Sequence, residues 1–389
     1  MSLKLKSRPE DFEVEELTDF RMGDGPFAVY LLTKRSLGTP EAITAIQQRW
    51  NLSRQQISYG GLKDKHAVTR QWVTIHRGPR NNLEQTNLSL VYQGQARAAF
   101  TPHDIAANRF AIVLRNLDPA VVPTILEIAA LVGRDGVPNY FDDQRFGSVG
   151  ESGEFIGQAW CAGTYERALW LALAEPNIHD RPQDREEKET LRHYWGQWDA
   201  CKAALPKSSR RSIVTYLCDH PTDFRRAVAL VRQDLRSLYL AAFQSHLWNR
   251  ILAATLQERV GAVRRFEIPL ESGPATFFSE LDDGERAALS QLQLPLPSAR
   301  LHFEEGDPLQ GLYERVAETA GLALREMRVK YPRDSFFSKG DRAAVVIPEG
   351  LQATALRDQL EPGKSAVLLR FVLARGAYAT IVVKRLTIE

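Results

Sequence analysis

The first 135 residues set the fold class. Strand-like runs at residues 27–32, 72–75, 88–92 and 110–114 are interrupted by only two helical stretches. Thr39 and Pro40 make a good N-cap and first turn, and Ala42, Ile43, Ile46 and Trp50 then mark one helix face. A second helix is expected from Pro119 to Gly133, through Leu126, Ala129, Ala130 and Val132. A parallel βαβ protein alternates strand and helix regularly. This stretch does not, so an α+β domain with a largely antiparallel sheet is expected. The last sixty or so residues return to strand character at 343–347, 367–372 and 378–383, the last two flanking a turn at Ala374-Arg375-Gly376.

Between these ends the texture changes. From about Thr164 long helical patterns alternate with charged linkers, and residues 180–189 read as a solvated charge run. Leu235, Leu238, Tyr239, Ala242, Leu247, Trp248, Ile251 and Leu252 make a strongly apolar core helix, whereas residues 261–300 are rich in proline and glycine. Arg210, Arg211, Arg225, Arg226, Arg232 and Arg236 either form a basic face or are scattered solvent-facing side chains. With 389 residues the chain can hold two or three cores. It has no run of about 18 apolar residues and no apolar signal core at its start, so a membrane span is not expected. Cys161, Cys201 and Cys218 are far apart and odd in number, which fits free thiols in a reducing cytoplasm. A formal charge of +2 neither favours nor excludes a nucleic-acid partner, because phosphate attraction is local.

Three stretches carry chemistry. Residues 59–71 read YGGLKDKHAVTRQ, entered from Ile57 and Tyr59 and left through the alternating Trp72-Val73-Thr74-Ile75. Gly60 and Gly61 are expected to permit a sharp turn, with Asp64 at its exposed tip between Lys63 and Lys65. Such a carboxylate is either a solvated charge or an anion available to a substrate, and at pH 7 ionisation is favoured by about 4 kcal/mol. His66 beside it either orients the loop or sits in solvent. Residues 136–147, GVPNYFDDQRFG, are expected to form a loop exposing Asn139, Tyr140, Phe141, Gln144, Arg145 and Phe146. Aromatic faces, an amide and a guanidinium suit a nucleobase and its phosphate, although a buried aromatic mini-core is the plainer alternative. Near the start, Phe12 of Pro9-Glu10-Asp11-Phe12 is the one large apolar side chain in a polar arm and reads first as an anchor. Gly23-Asp24-Gly25 is followed by a strand rather than a helix, and Gly363-Lys364-Ser365 has Asp358 where a phosphate loop needs glycine, so neither is a nucleotide motif. No histidine or cysteine spacing suggests a metal site.

Four phrases in this order, PEDF, GGLKDKHAVTRQ, VPNYFDDQRFG and GAYAT, resemble the signatures of the TruD family of tRNA pseudouridine synthases over nearly the whole chain. The resemblance implies that Asp64 is the nucleophile. It implies that Phe12 lines the uridine site with Lys6 near it, that Asn139 and Phe141 border the target base, and that Tyr378 packs on the substrate. Gly61, Lys63, Lys65, His66, Thr69, Gln71 and Arg145 would support them. It further implies a pseudouridine-synthase-like catalytic domain at 1–164 and 331–389, an inserted α/β TRUD domain at 165–330, and an RNA-binding cleft between them. The expected activity is isomerisation of uridine in tRNA, at uridine 13, by a cytoplasmic monomer with no cofactor and no metal. The competing classes are a base-excising glycosylase, which would release free base, and an RNA-binding or chaperone protein without chemistry. Stacking of an unpaired base on aromatic side chains, about 1 to 3 kcal/mol each, would offset the few kcal/mol needed to take it out of its stack.

Overall fold

The computed structural model describes residues 4–388. Their contacts divide into two units, residues 1–137 with 345–389, and residues 138–344. The bounds expected from sequence were 164/165 and 330/331, so the aromatic loop after Pro138 falls in the second unit and not the first.

The first unit is built on a mixed sheet. Its strands include β1 (Phe12–Leu17), β2 (Phe27–Arg35), β3 (Ile57–Tyr59), β4 (Val68–His76), β5 (Leu83–Gln85), β6 (Leu88–Ala96) and β7 (Ala107–Leu117), together with Glu349–Arg357 and Ser365–Ala374. The order across the sheet is Glu349–Arg357, Ser365–Ala374, β7, β1, β4, β2, β6, β5, with β3 also on β4. β1 and β4 run parallel, while β7 with β1, β2 with β4 and Ser365–Ala374 with β7 run antiparallel. The parallel pair sits at the centre, and it aligns the start of β1, just after the PEDF turn, with the start of β4, just after the Asp64 loop: Glu13 lies opposite Val68 and Val14 opposite Thr69.

Period-two alternation decides which residues face inward. Ala28, Tyr30 and Leu32 of β2 and Val73 and Ile75 of β4 share a core with Ala42, Ile43 and Ile46 of helix α1 (Thr39–Trp50). Helix α2 (Val122–Asp135) buries Val122, Ile125, Ala129 and Val132; of the positions expected from sequence, Ala129 and Val132 are buried, whereas Leu126 is only partly buried and Ala130 is exposed.

The chain end departs from expectation. Residues 379–387 form a helix (Ala379–Thr387), not a strand, and Tyr378 is its N-cap residue in extended backbone. Ile381, Val382 and Val383 favour strand locally. However, the buried Ala379, Val382, Val383 and Leu386 stand at i, i+3, i+4 and i+7, and packing of that face wins.

The second unit is mostly helical. A 27-residue helix (Gln233–Arg259) buries Leu240, Phe243, Leu247, Trp248, Ile251 and Leu252, and a hairpin pairs Arg265–Leu270 with Gly273–Phe278. The charge run at 180–189 is not simply solvated: it enters the helix Pro182–His193, where Glu187 and Lys188 are buried. Lys188 pairs with Asp180 at 2.6 Å, and Arg210 pairs with Asp184 and Glu187. Arg236, itself buried, pairs with Asp334, and Arg232 pairs with Asp234. Three of the six arginines considered for a basic face are therefore engaged with carboxylates.

Candidate active site

The Asp64 loop is pinned from several directions, all within the first unit. The Lys63 N–H donates to Thr39 Oγ1 (3.0 Å), whose hydroxyl donates to Gln71 Oε1 (2.9 Å), and Gln71 Nε2 donates to the Gly61 carbonyl (3.2 Å). Thr39 and Gln71 are fully buried, so the loop's polar backbone is satisfied by side chains rather than water. The Lys63 ammonium lies 2.9 Å from Glu16 and donates to Asn108 Oδ1, also at 2.9 Å. Lys34, 1% exposed, donates to the carbonyls of Leu37 (2.6 Å), Asp64 (2.7 Å) and Lys63 (3.3 Å).

This arrangement corrects two expectations. Neither Gly60 nor Gly61 has a left-handed φ. Gly60 is needed for close approach instead: an added Cβ would lie 2.5 Å from Ile105 Cδ1 and 3.0 Å from Phe100, while one on Gly61 would meet nothing within 4 Å. Nor do the flanking lysines hold Asp64. Lys63 turns to Glu16, and Lys65 makes an exposed pair with Glu41 at 3.1 Å.

The cation on Asp64 is Lys6, whose Nζ donates to Oδ2, while the His66 N–H donates to Oδ1 at 2.9 Å. Burial works to raise the Asp64 carboxyl, but the Lys6 ammonium and then the His66 N–H outweigh it and hold the group below its usual range. His66 thus acts first through its main chain, and the residue is exposed. Asp64 is not at an exposed tip, since its side chain keeps only 23% of its surface.

Aromatic walls adjoin this anion. The Lys6 ammonium stands 4.3 Å above the ring of Phe12, which is 6% exposed and meets Phe110 edge-on at 6.3 Å. Phe110 in turn stacks on Phe371 at 5.4 Å. Phe12 is therefore both an anchor and a neighbour of the ion pair. Leu373 of the strand Ser365–Ala374 lies opposite Asn108, the acceptor of Lys63, so the segment leading to Tyr378 leaves the sheet beside the loop's own anchor. Tyr378 itself is half-buried.

In the second unit the expected base-binding loop is more buried than its sequence suggested. Asn139, Tyr140, Phe141 and Phe146 are all below 9% exposed. Arg342 explains much of this: its guanidinium donates to the Asn139 side-chain oxygen (2.6 Å) and carbonyl (2.8 Å) and lies 4.2 Å over the Phe141 ring. Phe141 also meets Trp248 edge-on, and its main chain exchanges two hydrogen bonds with Asn249. Arg145 donates to Ser245 and reaches the Phe141 ring at 5.5 Å.

The chain matches the family model for tRNA pseudouridine synthase D (TruD) over residues 1–386. The chain belongs to the TruD family. Its members are isomerases of tRNA pseudouridylation. Similar proteins include the probable tRNA pseudouridine synthase D 2 of Methanocaldococcus jannaschii, 29% identical over 98% of this chain and 91% of the relative. The tRNA pseudouridine synthase D of Aquifex aeolicus is 26% identical over 99% and 98%. A crystal structure of the putative tRNA pseudouridine synthase D from Methanosarcina mazei has the same fold, with a TM-score of 0.72 at 24% identity over 98% of this chain and 92% of that one.

Sequence reading of this TruD chain overlooked Lys34, Glu16, Asn108 and Arg342. Lys34 left a readable trace: it continues the inward series Ala28, Tyr30, Leu32 of β2, where a lysine is out of place. Glu16 and Asn108 meet the Asp64 loop, and Arg342 meets the aromatic loop of the second unit, across long sequence separations that no local spacing encodes.

Proposed function

We propose that this TruD protein converts uridine 13 of tRNA to pseudouridine, with Asp64 as the nucleophile on a uridine taken out of its stack. The observation that carries this is the ionised carboxylate of Asp64, held between the Lys6 ammonium and the His66 N–H on a loop fixed by buried partners. The net change breaks N1–C1′, forms C5–C1′ and moves one proton from C5 to N1, so every atom of the uridine is kept. An anion that adds to the nucleoside and leaves again serves this need, without hydrolysis, redox change or a metal.

The first unit is the catalytic domain in this reading and the second the TRUD insertion. Phe12 lines the uridine site, Tyr378 packs on the base, Lys6 sets the charge of Asp64, and Asn139 and Phe141 border the uracil. Gly61, Lys63, Lys65, Thr69, Gln71 and Arg145 support these groups. The protein works as a cytoplasmic monomer. Mapping pseudouridine in total tRNA from cells with and without the protein should show a signal at position 13 that disappears with it. An unchanged map, or release of free uracil by the purified protein, would contradict the proposal.

A further inference from the structure

Lys34 does something the chemistry above does not use. It lies on β2 between Thr69 of β4 and Leu88 of β6, two uncharged neighbours in register. Its ammonium spends its three donors on main-chain carbonyls, two of them at Lys63 and Asp64. A buried ammonium is costly, and a fold keeps one where the bonds it makes are needed. We infer that Lys34 is a positioning residue: its cation clamps the main chain that carries Asp64, and turnover requires a cation at this place. The inference rests on Asp64 being the nucleophile.

The charged groups around it are accounted for. From α1, Glu41 faces it while paired with Lys65. From the loop, Lys63 is paired with Glu16 and Asp64 with Lys6, and the His66 side chain is exposed. On β2, Arg35 pairs with Glu10. Burial pushes Lys34 down to about 8, against the pull of Asp64 and Glu41.

Activity and stability should then separate. Above pH 8 the folded protein loses this proton while the unfolded chain keeps it up to the ordinary lysine value of 10.5, so this group's contribution to stability rises with pH over that window. The clamp weakens over the same window, and the rate falls.

The test is the single-turnover rate of pseudouridine formation in a tRNA transcript between about pH 6 and 10, with thermal melting at each pH. The wild-type rate should fall about tenfold per pH unit beyond a midpoint near 8, with no parallel fall in melting temperature. Lys34→Arg, charged throughout the range, should retain activity and lose that limb, whereas Lys34→Met should be slow at every pH with KM little changed. Any limb belonging to the RNA is common to wild type and Lys34→Arg, so their difference isolates the lysine. Superimposable profiles, or a flat wild-type rate to about pH 9.5, would overturn the inference. If neither variant folds, the position of the wild-type midpoint decides: a fall centred near 8 without loss of melting temperature supports the clamp, and no fall there overturns it. Asp64→Ala run alongside keeps the two ideas apart: activity surviving there removes the nucleophile, while activity lost there with an unmoved Lys34→Arg profile removes only the clamp.

Discussion

The state of Asp64 is set by a partner 58 positions away in the chain. Lys6 adopts a left-handed backbone (φ 58°) that a lysine seldom takes, and its ammonium lies between the Asp64 carboxylate and the Phe12 ring. Lys6→Met should remove a charge-assisted hydrogen bond of about 1.5 to 3 kcal/mol, lowering the rate roughly tenfold to a hundredfold. The sign of the pH effect follows from the lowered carboxyl. Wild-type Asp64 stays an anion as pH falls to its depressed value, whereas without Lys6, burial raises the group and the acid limb of the rate moves to higher pH. Rate profiles of both proteins check this, and an unmoved acid limb would show that Lys6 does not set the charge. Asp64 could be singled out as the candidate from sequence because the whole loop phrase is local. Its counter-ion could not, because adjacency suggested Lys63 and Lys65, while the fold turns one to Glu16 and the other to Glu41.

At the scale of elements, the PEDF turn owes its place to a buried charge cluster. Arg115 of β7 donates twice to Asp11, at 2.8 and 2.9 Å, and once to Asp358, at 2.9 Å; all three side chains are 4% exposed or less. The cluster fixes the start of β1, and with it Phe12, against β7. Arg115→Leu leaves Asp358 buried without its cation and Asp11 with only the more exposed Arg8 at 3.2 Å, and should cost about 3 to 5 kcal/mol, read by denaturant unfolding; a loss below about 1 kcal/mol would contradict this role. Burial raises the Asp11 carboxyl, but Arg115 and the Arg8 N–H overcome it, and Asp358 is likewise lowered by the Asn116 and Leu360 N–H groups and Arg115. Their stabilisation is therefore present above the ordinary aspartate range and lost as pH falls through the lowered values. The central strands and α1 were readable because period two and period 3.6 separate cleanly there. The C-terminal helix was not, since its β-branched run mimics a strand until the i, i+3, i+4 burial of Ala379, Val382 and Val383 is seen.

At the scale of the whole molecule, a net charge of +2 says little, and the fold says why: cations that a scan would assign to RNA, such as Arg210, Arg232 and Arg236, are engaged in ion pairs within the second unit. The four signatures were legible as short phrases, and they carried the family. The division of the chain was less so, because helix Ile156–Cys161 and the aromatic loop belong by their contacts to the second unit, although the change of texture begins only near Thr164. What joins these scales is one claim, that the anion of Asp64 performs the chemistry while the rest of the chain presents the RNA. The most direct measurement is pseudouridine formation and tRNA binding by purified Asp64→Ala. The account predicts no detectable product with tRNA affinity within about threefold of wild type, a difference under 1 kcal/mol; product at a near wild-type rate would contradict it.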